Sequence, residues 1–234
     1  MRLEELFQNL GQIAGSFAAQ MRDASIVGVP LEELDLTGTP PTKIGLTGPG
    51  HVAIKVGPVF RVEAEGDARG EVRFALSEER LTISGGDSSV FVTVTAPAPR
   101  KLAVAGSGRM LAERLAHDGK LAVAGSGRLE VSEVDGGAIK VSIAGSGRLT
   151  IDGKADELDL SIAGSGSCDG EGLMVGKAAV HIAGSGDAIF GCDGEVSASL
   201  MGSGNVIVRG SARCSVNSMG SGTLVCERDK ERAD

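Results

Sequence analysis

The tripeptide Gly-Ser-Gly recurs seven times between residues 106 and 222 of this 234-residue chain, at intervals of 18 to 20 residues. The copies begin at Gly106, Gly125, Gly145, Gly164, Gly184, Gly202 and Gly220. One glycine-rich loop would suggest a phosphate site, which needs a single copy opening a helix. A fixed period near 20 residues is instead typical of a repeat architecture.

Apolar and polar residues alternate on both sides of each motif, as in Ile139 to Ile143 before one motif and Leu149 to Ile151 after it. A period of two indicates strands with one buried face. A unit of about 19 residues therefore matches one coil of a parallel β-helix, in which equivalent strands stack ~4.8 Å apart.

The motif itself is expected to form the corner of each coil, as Gly106, Ser107 and Gly108 do in the first copy. Glycine reaches positive φ at low cost and has no Cβ to collide with the neighbouring coil. We expect the small central serine to pass hydrogen bonds along a column of equivalent serines. All seven motifs are predicted to align at one corner.

Five segments are predicted along the chain. Residues 1–22 have the apolar spacing of an amphipathic helix, which we expect to cap the solenoid or mediate oligomer contacts, with membrane binding as the rival role. The others are a proline-containing linker (23–42), N-terminal strands and first coils (43–99), the Gly-Ser-Gly β-helix (100–227) and a charged tail (228–234).

An ordered series of strand motifs resembles the head GIN domain family, whose members are named as autotransporter adhesin heads. The motifs are Ile44 to Ile54, Leu81 to Ile83, Val92 to Pro97 and Leu102 to Gly108. The resemblance covers roughly residues 43–227. It implies a right-handed parallel β-helix, a bacterial cell-envelope or surface location and an adhesin-like role, and it supplies no catalytic residues. The predicted fold class is thus all-β: a right-handed parallel β-helix with an N-terminal α-helix.

The net charge of −8 argues against a nucleic-acid-binding protein, which would present a basic face. No apolar run is long enough for a transmembrane span, and no secretory signal precedes the first motifs, which by itself predicts a cytoplasmic protein. The cysteines Cys168, Cys192, Cys214 and Cys226 form no metal-binding pair and are all expected to be free and buried. We predict no metal and no cofactor.

Three arginines, Arg109, Arg128 and Arg148, directly follow their corners and should stack along one outer edge. They are the candidate binding residues for an anionic glycan or protein partner, with Glu113, Glu130, Glu133 and Asp152 as candidate ion-pair partners that would make them a solvated surface ladder. The predicted function is a non-catalytic binding module. The alternative is a self-assembling scaffold similar to the bactofilins, joined through coil ends or the N-terminal helix. A polysaccharide-acting enzyme ranks last, because paired carboxylates and large aromatic platforms are not evident.

Overall fold

The computed structural model describes residues 28–77 and 79–227, which form a 17-stranded sheet wound into a β-solenoid. A short 3-10 turn (Leu31–Glu33) precedes the first strand, and a second one (Arg69–Glu71) lies between two later strands. The strands are β1 (Lys43–Thr47), β2 (His51–Val56), β3 (Arg61–Glu65), β4 (Arg73–Ser77), β5 (Arg80–Ser84), β6 (Phe91–Ala96), β7 (Lys101–Gly106), β8 (Arg109–Ala112), β9 (Lys120–Gly125), β10 (Arg128–Asp135), β11 (Ala138–Gly145), β12 (Arg148–Gly164), β13 (Ser167–Gly184), β14 (Asp187–Gly202), β15 (Asn205–Arg209), β16 (Arg213–Gly220) and β17 (Thr223–Glu227).

Consecutive coils pair in parallel and in register, so the predicted β-solenoid of about 19 residues per coil is confirmed. We call the strands that lead into the Gly-Ser-Gly corner the first face. The strands that leave the corner form the second face. A third, less regular side closes each coil, and register shifts in β10, β12 and β13 mark its position.

The seven Gly-Ser-Gly motifs lie in register at a single corner, and the first glycine of each has φ between 104° and 132°. At Gly145 an added Cβ would lie 2.6 Å from the Gly125 carbonyl oxygen, so the coil below also excludes a side chain. The hydrogen bond that links these corners is donated by the serine backbone, as from Ser146 N to Gly125 O at 2.9 Å. The expected ladder of serine hydroxyls is not formed among the described residues, because the peptide N–H makes this link.

Inward-facing side chains stack in columns that run the length of the solenoid. On the first face one column places Val104, Val123 and Ile143 above one another, and each is almost fully buried. Side-chain size varies between neighbouring coils: Phe190 on the second face lies opposite Gly170, which leaves room for the ring. The core is therefore a continuous apolar rod enclosed by backbone, as the alternating pattern predicts.

The N-terminal end of the solenoid departs from chain order. The layer of β1 and β2 lies between the layer of β5 and β6 and that of β7 and β8. Beyond β5 and β6, strands β4 and β3 pair antiparallel with them, and an isolated bridge joins Val29 to Phe74. These antiparallel strands satisfy the backbone edge at this end.

The C-terminal end is different, because β16 and β17 form the last described layer and no described element covers it. Residues of both strands are exposed, including the inward-facing Val216 (49%) and the outward-facing Val225 (44%). Cys214 and Cys226 face each other across this open coil and form a disulfide with a Cα–Cα distance of 6.7 Å.

The prediction of four free, buried cysteines is therefore wrong for Cys214 and Cys226 and right for Cys168 and Cys192. All four occupy inward positions, but a thiol is buried only when further coils lie on both sides. Burial, with a smaller contribution from Asp169, raises the pKa of the Cys168 thiol to about 12, which leaves it protonated and unreactive at neutral pH.

Three predicted segments lie wholly or partly outside the described residues. These are the helix at residues 1–22, the start of the linker at 23–42, and the charged tail at 228–234.

Candidate ligand-binding faces

Arg109, Arg128 and Arg148 form one outward column on the second face, which we call the arginine column. Strand register pairs Arg109 with Arg128 and Arg128 with Arg148, so successive guanidinium groups start from backbones one strand spacing apart. Each arginine follows the second glycine of its corner, where the chain begins a new strand. The corner therefore fixes the position of the column along the edge of the solenoid.

The three arginines differ in their contacts. Arg109 Nη2 donates to Glu130 at 2.8 and 3.1 Å, while its buried Nε has no partner among the described residues. Arg148 Nε donates to Ser167 Oγ at 3.2 Å. Arg128 is exposed and forms no ion pair within residues 28–77 and 79–227. Most of the column's charge thus remains uncompensated.

Of the four acidic residues expected to neutralise the column, only Glu130 contacts it. Glu133 pairs instead with Arg114 at 2.6 Å, and Glu113 accepts a hydrogen bond from the backbone N–H of Val56 at 2.8 Å. Asp152 makes no ion pair with any described arginine. This edge is therefore not a surface ladder in which every arginine is paired with an acidic residue.

The arginine column continues toward the N-terminal end as an aromatic pair. Register places His51 beside Arg109 and Phe91 beside His51, and the two rings stack with centroids 4.9 Å apart. Phe91 is 56% exposed. Sequence reasoning missed this pair because the layer order that brings His51 next to Arg109 is not visible in the repeat.

Toward the C-terminal end the same column changes to hydrogen-bonded polar residues. Asp187 Oδ1 accepts hydrogen bonds from the backbone N–H of Asn205 at 3.0 Å and from its Nδ2 at 3.1 Å. Thr223 Oγ1 then donates to Asn205 Oδ1 at 2.7 Å. Side chains here link neighbouring coils, whereas the arginines leave charge at the surface.

A second basic column lies on the first face, at the start of each strand that leads into the corner. We call it the lysine column, and its members in stacking order are Arg80, Lys43, Lys101, Lys120 and Lys140. A lysine five residues before Gly106, Gly125 and Gly145 was a visible signal in the repeat. The other two members follow only from the intercalated β1 layer.

Ion pairs offset part of the electrostatic repulsion among the cations of the lysine column. Ion pairs lie near its two ends, from Lys43 to Glu79 and from Lys140 to Asp159, both at 2.7 Å. Burial lowers the pKa of Lys101 to about 8, and three nearby cations add to the effect. Those cations are Arg80, Lys120 and Lys43. Lys101 therefore lies between like charges that disfavour its protonated form.

The neighbouring outward positions on the first face carry small side chains. Ala103 and Ala122 follow Lys101 and Lys120 by two residues in the chain. Ala105 and Ala124 lie next to the corner.

Comparison with protein families identifies this architecture. A family model described as "Putative auto-transporter adhesin, head GIN domain" matches residues 40–212. The chain belongs to this family. The match spans both basic columns and the intercalated N-terminal layers, which confirms the resemblance inferred from the strand motifs.

Solved structures similar to this head GIN domain share its fold. A putative adhesin from Bacteroides fragilis has a TM-score of 0.73 at 17% identity, covering 81% of this chain and 93% of that one. A putative lipid binding protein from Parabacteroides distasonis has a TM-score of 0.63 at 18% identity, with coverages of 81% and 94%. A putative adhesin from Parabacteroides merdae has a TM-score of 0.64 at 20% identity, with coverages of 80% and 91%. Comparison with curated proteins gives no match.

The family description names an adhesin head, which supports a binding module. Within residues 28–77 and 79–227, no three His, Cys, Asp or Glu side chains are grouped to hold a metal ion. The same residues contain no helix with the length and apolar character to cross a membrane.

Proposed function

We propose that this head GIN domain binds a carboxylated or sulfated glycan along its arginine column. The observation that carries the proposal is the exposure of Arg128 and Arg148 at consecutive positions of one edge, with Arg128 unpaired among the described residues. Guanidinium groups present planar donor pairs that match carboxylate and sulfate oxygens, so the edge is suited to anionic groups on a chain.

The aromatic pair favours a sugar over a protein as the ligand. Phe91 exposes an apolar ring edge in line with the arginines, at a position one layer beyond His51. A glycan running parallel to the solenoid axis would meet this apolar surface first and the three guanidinium groups next. Because the whole chain carries a net charge of −8, this basic edge gives binding a defined location instead of general attraction.

Binding to three polymers of one backbone tests the proposal: dextran sulfate, carboxymethyl dextran and neutral dextran, titrated into the full chain at low and moderate salt. We expect the two anionic polymers to bind and neutral dextran not to bind. The double variant Arg128→Ser/Arg148→Ser should lose at least tenfold in affinity, because two of three column cations are removed. A shallower salt dependence should accompany the loss.

The matched control is Arg61→Ser/Arg213→Ser, which removes two exposed arginines from β3 and β16, away from the column. It changes net charge by the same amount and should change affinity less than twofold. Equal losses in the two double variants, or no binding of either anionic polymer by the unaltered chain, would refute the arginine column as the site.

Self-association is a second candidate function, favoured by the uncovered last coil. Val216, Met219 and Val225 are each at least 44% exposed there, and the edge of β16 is open to a further strand. The other end carries the antiparallel strands β3 and β4 and so does not match the open end, and contacts between two open ends would close into a pair and not extend into a filament. Sedimentation velocity across a hundredfold concentration range distinguishes a monomer, a pair and a growing polymer.

A further inference from the structure

We infer that the lysine column is a second anion-binding site, which takes a linear polyanion whose charged groups follow one another along the solenoid axis. This site lies on the first face, and it does not depend on the proposed glycan site on the second face. Its charges come from five consecutive layers, Arg80 to Lys140, so it presents about one cation per strand spacing of ~4.8 Å.

The fold does not require these cations. In the C-terminal half the same column holds Asp159, then Ala179, Ser197 and Ser215, and the strands there pair in the same register. A column of like charges lowers stability unless it is compensated, and ion pairs with Glu79 and Asp159 engage Lys43 and Lys140. Positive charge is therefore concentrated where the backbone would accept neutral residues.

The geometry favours a polymer over a single ion. Lys120 is exposed and has no ion pair among the described residues, and Lys101 lies between it and Lys43. An anionic group placed between two of these ammonium groups leaves the next pair available one spacing further along. Beside Lys101 the next outward residue is the small Ala103, which adds no bulky side chain next to the column.

Protonation of Lys101 gives this site a signature that the arginine column lacks. The charged groups that act on Lys101 are Arg80 on β5, Lys43 on β1 and Lys120 on β9, and with burial they lower its pKa to about 8. A polyanion bound here would favour the protonated amine, so binding near pH 8 should be accompanied by proton uptake. Arginine remains protonated at this pH and contributes no such uptake.

The test uses inorganic polyphosphate of defined length as the probe and orthophosphate as its single-ion control, with isothermal titration of the full chain at pH 8. The variants are Lys120→Met, Lys101→Met/Lys120→Met, the glycan-site pair Arg128→Ser/Arg148→Ser, and the control Lys154→Met/Lys177→Met. Both control lysines are exposed and lie outside the column. Methionine keeps the apolar stem of lysine, and the exposed position of Lys120 protects the single variant from misfolding.

We expect polyphosphate to bind far more tightly than orthophosphate. Affinity should fall at least tenfold in Lys101→Met/Lys120→Met, by a smaller factor in Lys120→Met, and by less than twofold in the control pair. The salt slope should decrease by about two in the double lysine variant. Measurement in two buffers of different ionisation enthalpy should show proton uptake in the unaltered chain and in the arginine variant, and none where Lys101 is replaced.

Three results would overturn the inference. The first is no polyphosphate binding, and the second is an equal loss of polyphosphate affinity in Lys154→Met/Lys177→Met and Lys101→Met/Lys120→Met. The third is polyphosphate binding that takes up no proton and is abolished only by Arg128→Ser/Arg148→Ser. The last of these would leave the glycan site intact and remove only the second site. The converse outcome is that dextran sulfate binding is retained in both Arg128→Ser/Arg148→Ser and Lys101→Met/Lys120→Met while polyphosphate binding is lost in the latter. That result would refute the glycan proposal and support this inference.

Discussion

The N-terminal and C-terminal halves of the solenoid share one corner and one register but carry different outer surfaces. In the first three Gly-Ser-Gly coils the position after the corner holds arginine, and in the last three it holds Asp187, Asn205 and Thr223, which hydrogen-bond from coil to coil. The strands therefore pair in the same register whichever of these side chains is present. Where they are linked they add stability, and where they are charged and unlinked they are available to a ligand.

The largest effect should come from the feature that both halves share. Gly145→Val should lower the free energy of unfolding by at least ~1–3 kcal/mol, because valine at φ 110° is strained and its Cβ would collide with Gly125 O. Ser146→Val, at the exposed centre of the same corner, is the control and should change stability by less than ~0.5 kcal/mol. Chemical denaturation measures both, and an unchanged midpoint for Gly145→Val would contradict the corner model.

The disulfide should stabilise only the open end. Closing a loop of sequence separation 12 restricts the unfolded chain by about 3 kcal/mol in the chain-entropy model. Hydrogen exchange of β16 and β17 should accelerate in Cys214→Ser/Cys226→Ser, while exchange in β9 to β12 stays unchanged. Alkylation of the unaltered protein should modify Cys168 and Cys192 only after denaturation. Rapid modification of Cys214 and Cys226 in the native state would show that the disulfide is absent.

The outer columns should differ in their effect on stability. Asp187→Ala removes the acceptor of two hydrogen bonds from Asn205, so we expect a loss of about 0.5–1.5 kcal/mol. Arg128→Ala removes an exposed side chain without an ion pair in the described part of the chain, and should stay within about 0.5 kcal/mol of the unaltered protein. A larger loss for Arg128→Ala than for Asp187→Ala would reverse the comparison between the halves.

The smallest effect concerns pH and the lysine column. Because the folded-state pKa of Lys101 is lowered from 10.5 to about 8, the unfolded chain binds more protons between these values. Stability should therefore rise modestly as pH increases from about 8 toward 10.5, and this contribution should disappear in Lys101→Met. Urea titrations at closely spaced pH values provide the measurement, and Lys154→Met should retain the slope of the unaltered protein.

The repeat made most of the fold predictable, because seven copies align themselves and show which positions face inward. The same alignment placed the arginines in one column, and it could have placed Lys101, Lys120 and Lys140 in another. The intercalated layer was not predictable from spacing, since strand order there differs from chain order, and so the partnership of His51 with Arg109 was missed. The cysteine error has a similar origin: the inward pattern is correct at Cys214, but periodicity does not show that the last coil lacks a cover.

The position of β1 and β2 between two later layers has a consequence for how the chain assembles. The first layer to be synthesised is an interior layer, and its two backbone edges are completed by residues 80–96 on one side and 101–112 on the other. Two arms extend from this layer, a short one that ends in antiparallel strands and a long one that adds one coil per repeat. A nascent chain that ends before residue 101 therefore lacks every strand on one side of residues 43–56, and that side is complete only at residue 112.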